Sequence, residues 1–238
     1  MEAGTEVTRT GSKTIADLME LAAAKYGDAT AIRHKVDGAW QDVSFTELGG
    51  IASEISRGLI DLGIAKGDRV ALLANTRPEW TYADFGITST GAVVVPIYPT
   101  NAPEECHWVI SDSGAVAIVC EDAEQVAKVT AVRDRLPDLK HVIVMIPGGD
   151  TGDAITLDEL RERGRGLDPS VVGERAAAVT PEDPYTLIYT SGTTGNPKGC
   201  VLLHRNYHSV LDMVLRRGLF AGNGDDVTYL YLPLAHAF

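Results

Sequence analysis

Leu48, Ile51, Ala52, Ile55, Leu59 and Leu62 recur at three- and four-residue intervals, which lays one apolar stripe along a helix. Ser44 and Glu47 form a capping box at its start, Val43 and Leu48 are placed as a hydrophobic staple, and Gly63 stops it. This stripe is core packing. An earlier helix is predicted from the capping residue Thr14, with Asp17 three positions on. Ile15, Leu18, Leu21 and Ala22 give its apolar side, and Gly27 ends it. Between the two helices, residues 30–34 and 39–43 read as short strands flanking a turn at Asp37-Gly38.

From Asp68 onward the pattern changes to continuous apolar runs separated by helical segments. Residues 69–74, 92–97, 115–120 and 141–146 predict strands; helices are predicted near Pro78, after Pro103 and over 123–136. Such strands imply a parallel sheet covered on both faces, hence an α/β fold. Ligands of these sheets gather beyond the carboxyl ends of the strands. Asn75 to Arg77 and Tyr98 to Asn101 fall there, either lining a site or serving as ordinary turns.

Residues 147–184 are richer in Gly, Asp, Pro and Arg, with one short helix predicted over 157–163. Arg161, Arg163 and Arg165 alternate with glutamate and glycine, which suits a solvated face better than an anion site. The organisation expected is a flexible leader (1–12), a first α/β lobe (13–146), a connector (147–184) and the start of a second lobe (185–238). Within the second, 206–217 predicts a helix and 229–232 a strand.

The chemistry concentrates where that second lobe opens. Residues 185–190 are apolar, β-branched and aromatic, as in a short buried strand. Then 190–199, TSGTTGNPKG, holds three glycines, four hydroxyl side chains, one proline and Lys198. Gly192, Gly195 and Gly199 let the backbone turn so that several N–H groups converge on one anion. Ser191, Thr193 and Thr194 can donate hydroxyl hydrogen bonds, and Lys198 adds a mobile cation. That set makes a polyphosphate cradle. A flexible linker rarely sits between two apolar segments, and here Val201, Leu202 and Leu203 follow. The Walker loop fails too, because it needs G-x-x-x-x-G-K-[ST] and Lys198 is followed by Gly199.

Charge and cysteine content narrow the classes. The net charge of −12 over 238 residues leaves no basic field for nucleic acid, so an anionic ligand must be held by local donors. Cys106, Cys120 and Cys200 are odd in number and unevenly spaced, which suits reduced thiols in a cytosolic protein. No apolar run approaches the roughly 20 residues that span a bilayer. Cys200, His204 and His208 fall at spacings of four, but a structural zinc needs a fourth ligand, and the histidines read as polar residues near a helix start. Ser191 lacks the G-x-S-x-G elbow of a hydrolytic nucleophile.

YTSGTTGNPKG, 189–199, closely resembles the phosphate-binding motif of the adenylate-forming superfamily, which includes acyl- and aryl-CoA synthetases. NTRPEW (75–80), VVVPIYPT (93–100) and LPLAHAF (232–238) are similar to the long-chain fatty acyl-CoA synthetases within it, and the resemblance runs from about residue 44 to 238. It implies that ATP activates a fatty acid as an acyl-adenylate and that coenzyme A then takes the acyl group as a thioester. Thr190, Ser191, Gly192, Thr193, Thr194, Gly195, Lys198 and Gly199 would hold the nucleotide phosphates. Lys198, Thr194 and His236 would be catalytic, Thr194 reaching Mg²⁺ and His236 positioning or gating beside the acyl-adenylate pocket. The superfamily's adenine, ribose, hinge and C-terminal lysine motifs have no match here. The resemblance therefore implies an incomplete N-terminal part, inactive alone, with cut sheet edges that favour self-association. It also implies a cytoplasmic protein, at most peripheral to the inner face of a membrane. Two other readings stay open: a noncatalytic nucleotide- or acyl-binding fragment, and adenylation of an aryl or amino acid.

Overall fold

The computed structural model describes residues 10–190, 195–218 and 226–235. Helix α1 (Ile15–Tyr26) starts at Thr14, whose side chain accepts from the Asp17 N–H while Asp17 returns a bond to the cap backbone. Strands β1 (Thr30–Val36) and β2 (Ala39–Ser44) form a hairpin of their own. Its turn puts both Asp37 (φ 50) and Gly38 (φ 82) in the left-handed region, as a tight two-residue hairpin turn requires. Helix α2 (Phe45–Asp61) begins with the Ser44–Glu47 capping box.

The main sheet has seven strands: β3 (Arg69–Leu73), β4 (Val93–Ile97), β5 (Ala115–Cys120), β6 (His141–Val144), β7 (Ile155–Thr156), β8 (Pro184–Thr190) and β9 (Lys198–Leu203). Their order is β7-β6-β5-β3-β4-β8-β9. Strands β3 to β8 run parallel, and β9 returns antiparallel to β8. The remaining helices are α3 (Pro78–Ser89), α4 (Pro103–Ser113), α5 (Ala123–Thr130), α6 (Leu157–Arg165), α7 (Ser170–Ala177) and α8 (His204–Arg216). Alternation along β3 divides the core. Val70 and Leu72 pack with Ile55 and Leu59 of α2, Ile87 of α3 and Leu160 of α6. Ala71 and Leu73 face the other way, onto Cys106, Val109 and Ile110 of α4 and Val126 and Val129 of α5. Both faces of the sheet are thus covered, as its apolar strands require.

Four details differ from the sequence expectation. Residues 185–203, assigned to a second lobe, form the far edge of the first lobe's sheet, where β8 covers the fully buried strand β4. The apolar pattern shows that a strand is buried without showing which neighbour buries it. The connector is more structured than one helix: β7 pairs with β6, and both α6 and α7 form. The helix expected over 123–136 ends at Thr130, and a single 3-10 turn, Arg133–Arg135, brings Val132 and Leu136 back onto the core. Residues 229–232 form no strand, and Tyr229 and Tyr231 are exposed at 80% and 70%.

The alternating arginines also find partners. Arg161 and Arg165 of α6 both bond Glu54 of α2, and Arg163 pairs with Asp61. Arg161 is half-buried against α2, while Arg163 and Arg165 keep the exposure expected of a solvated face even as they pair. Among the described residues no helix is long and apolar enough to cross a membrane.

Candidate functional site

The parallel direction of β3 to β8 brings the segments after these strands to one edge of the sheet. Strand β8 ends there at Thr190, which pairs with Lys198 at the start of β9, so the two strands flank the glycine- and hydroxyl-rich segment of the sequence. Ser191, Gly192, Thr193 and Thr194 of the expected cradle lie outside the described residues. Thr190, Gly195, Lys198 and Gly199 are described. Gly195 has φ 92 and open space around it, a conformation that favours glycine. Gly199 lies beneath the Tyr189 ring: a Cβ there would come within 3.1 Å of the ring's Cζ. Lys198 is exposed, so its ammonium stays in water where an anion can reach it.

The hairpin is fastened to helix α4. The Tyr189 hydroxyl donates to Asp112 Oδ2 at 2.6 Å, and the Trp108 Nε1–H donates to the Pro197 carbonyl at 2.8 Å. Burial, together with the neighbouring Asp112 carboxylate, pushes the Tyr189 phenol well above its ordinary range, so it stays a donor.

A second group of segments meets beyond β3. The Asn75 backbone N–H and Nδ2 both donate to Glu121 Oε2, at 2.7 and 2.8 Å, and Arg77 Nη1 donates to Glu121 Oε1 at 3.1 Å. Between them, Thr76 Oγ1 donates to the Leu232 carbonyl at 2.9 Å and accepts from the Leu234 N–H at 3.1 Å. The NTRPEW and LPLAHAF segments, distant in sequence, are therefore clasped together, with Ala235 buried. His236 itself lies outside the described residues. Glu121, at the end of β5, is the part that sequence reading missed; its only signal is its place just past a buried strand. Tyr98 to Asn101 close a turn through the Asn101 N–H and the Tyr98 carbonyl, and Lys128 Nζ donates to the Pro99 carbonyl.

Beneath the hairpin sits a buried polar cluster. Tyr185 at the start of β8 donates to Asp84 of α3, and its ring stacks edge-on against Tyr207 of α8 at 4.6 Å between centroids. His204 at the start of α8 accepts the Ile15 N–H on Nδ1 at 3.0 Å. His204 and His208 are buried, not surface polar residues. Cys200 is exposed on β9, and among the described residues no three His, Cys, Asp or Glu side chains are grouped to hold a metal.

Thr190 and Lys198 thus meet at the carboxyl edge of a parallel sheet, where the ligands of such sheets gather. The family model described as AMP-binding enzyme matches residues 19–238. The chain belongs to the AMP-binding enzyme family. Among curated relatives of this AMP-binding chain is the long-chain-fatty-acid–CoA ligase FadD15 of Mycobacterium bovis, 38% identical over 219 residues, 88% of this chain and 34% of that protein. The long-chain-fatty-acid–CoA ligase ACSBG1 of Bos taurus is 32% identical over 232 residues, 94% of this chain and 31% of that one. The inhibitor-bound crystal structure of the N-terminal domain of FACL13 from Mycobacterium tuberculosis superposes with a TM-score of 0.73 at 28% identity, covering 94% of this AMP-binding chain and 52% of that one. The chain spans about a third of the length of the curated relatives it matches.

Proposed function

We propose that this chain supplies the ATP-phosphate site of a long-chain fatty acid–CoA ligase. The observation that carries the reading is the β8–β9 hairpin, whose arms meet at Thr190 and Lys198 on the carboxyl edge of the sheet and flank the glycine–hydroxyl segment of the sequence. In the full-length protein a fatty acid carboxylate oxygen attacks the α-phosphorus of ATP, pyrophosphate leaves, and an acyl-adenylate remains. The coenzyme A thiolate sulfur then attacks the acyl carbon, AMP leaves, and the thioester forms.

The residues' task is positioning and charge stabilisation. Backbone N–H groups of the loop, the hydroxyls of Ser191, Thr193 and Thr194, and the Lys198 ammonium would hold the β- and γ-phosphates. Mg²⁺ brought by the nucleotide would be held on the protein side by the Thr194 hydroxyl, a hard oxygen donor of the kind this ion takes. Bound there, it would neutralise phosphate charge. His236 would stand at the acyl-adenylate pocket, on the segment that Thr76 clasps. We assign the reaction to the cytoplasm, with at most peripheral contact at the inner face of a membrane. The edge strand β9, with Val201 exposed, would be the place for self-association through a sheet edge.

The long-chain assignment rests on the names of the relatives and on the NTRPEW, PIYPT and AHAF segments. A tunnel gains about 0.8 kcal/mol per buried methylene until it is full. Thioester formation by the full-length protein, profiled from C2 to C20 acids, should rise to a long-chain maximum. A maximum at acetate, an aryl acid or an amino acid contradicts the assignment.

A further inference from the structure

The hairpin that carries the loop forms the outer edge of the sheet. The register between β8 and β4 is a single pair, Val94↔Thr186, so Leu187 to Thr190 extend beyond that pairing. Among the described residues, strand β9 pairs only with β8 and lies at the edge of the sheet. Lys198 to Val201 are exposed, so no side-chain burial holds that part of β9 in place. An exposed edge strand is held less firmly than one buried within the sheet.

Helix α4 supplies the missing support. Trp108 and Asp112 are four residues apart, so they project from one face of α4 a turn apart. Asp112 takes the Tyr189 hydroxyl of the outgoing arm, and Trp108 takes the Pro197 carbonyl of the returning arm. These contacts fall beside Thr190 and Lys198, where the loop closes. Trp108 and Tyr189 also pack on the apolar core beneath α4, so the anchor is tied to the rigid sheet. Tyr189 in turn lies over Gly199, within 3.1 Å of where a Cβ would stand. A shift of α4 relative to β8 therefore moves both ends of the loop together.

We propose that Trp108 and Asp112 are positioning residues for the polyphosphate site, fixing the two arms of the hairpin at Tyr189 and Pro197 so that Lys198 meets the phosphates preorganised. This rests on the phosphate reading of the hairpin. Removing either bond while keeping the ring leaves the fold intact and frees the tip. Each net hydrogen bond of this kind corresponds to about a fivefold effect.

The test uses the 238-residue chain, its Trp108→Phe and Tyr189→Phe variants, and Lys198→Ala. Amide exchange over residues 198–203 should quicken about fivefold in both anchor variants, with the thermal midpoint within a few degrees of wild type. Inorganic tripolyphosphate should bind about fivefold more weakly to each. Restoring a ring N–H with Trp108→His should recover part of the loss, which a packing role alone does not predict. Unchanged exchange at 198–203 overturns the proposal whatever binds. If Lys198→Ala loses tripolyphosphate while the anchor variants keep wild-type affinity, the positioning role alone is wrong. If wild type and Lys198→Ala behave alike, the phosphate reading falls and this proposal with it.

Discussion

The Tyr185 hydroxyl lies 3.0 Å from Oδ2 of Asp84, and both side chains are buried. The bond joins the start of strand β8 to helix α3. Burial pushes the Asp84 carboxyl up to about 7, because one phenol replaces only part of its hydration.

That shift has a definite sign. An acid whose folded pKa lies above its unfolded value weakens the fold as pH rises through the window between them, from near 4 to about 7. Asp84→Asn keeps an acceptor for Tyr185 and removes the titration. Urea unfolding should show the variant gaining on wild type by about 2–4 kcal/mol between pH 4 and pH 8. A difference that stays constant with pH contradicts the buried ionisation.

His204 acts in the opposite direction. Burial lowers its imidazole to about 4, and the neutral ring accepts the Ile15 N–H, one of the donors that a helix start leaves unpaired. This stability is present above about pH 6.5 and is lost as pH falls towards 4. His204→Phe keeps ring volume but strands the donor, so it should cost about 1–3 kcal/mol at pH 7.5. The gap from wild type should narrow on acidification. A gap that widens as pH falls runs against this account.

The contact of α2 with α6 sets a third expectation. A Cβ on Gly164 would stand 1.9 Å from the Glu54 carbonyl oxygen, and one on Gly58 would stand 2.2 Å from that of Leu160. These atoms are backbone and cannot swing aside. Gly164→Ala should destabilise by at least about 1–3 kcal/mol in chemical denaturation. Gly50→Ala, in α2 with open space around it, should stabilise by about 0.5–1 kcal/mol. Equal effects at the two positions contradict the close packing.

These sites show what was legible in the sequence and what was not. The Ser44–Glu47 cap, the stripe of α2 and the apolar strands are local patterns, and each stands where its pattern places it. The glycine–hydroxyl loop is read from composition alone, and Ser191, Gly192, Thr193 and Thr194 lie outside the described residues. Pairings across the fold were not legible. Glycines 58 and 164 look like interruptions of helices until the two helices meet. Asp84 looks like a surface acid within α3, and Trp108 like core packing, until β8 and β9 arrive over them. Arg161 and Arg165 alternate as a solvated face does, yet Glu54 waits opposite.

The central claim is that the β8–β9 hairpin grips the phosphates of ATP. Palmitate-dependent exchange of pyrophosphate into ATP by the full-length protein tests it most directly, because that reaction uses the phosphate grip without the coenzyme A step. Losing one charge-assisted contact at a preorganised site costs about 2–4 kcal/mol of barrier. Lys198→Ala and Thr194→Ala should each slow exchange by roughly 10²–10³. Exchange at the wild-type rate in both variants contradicts the account.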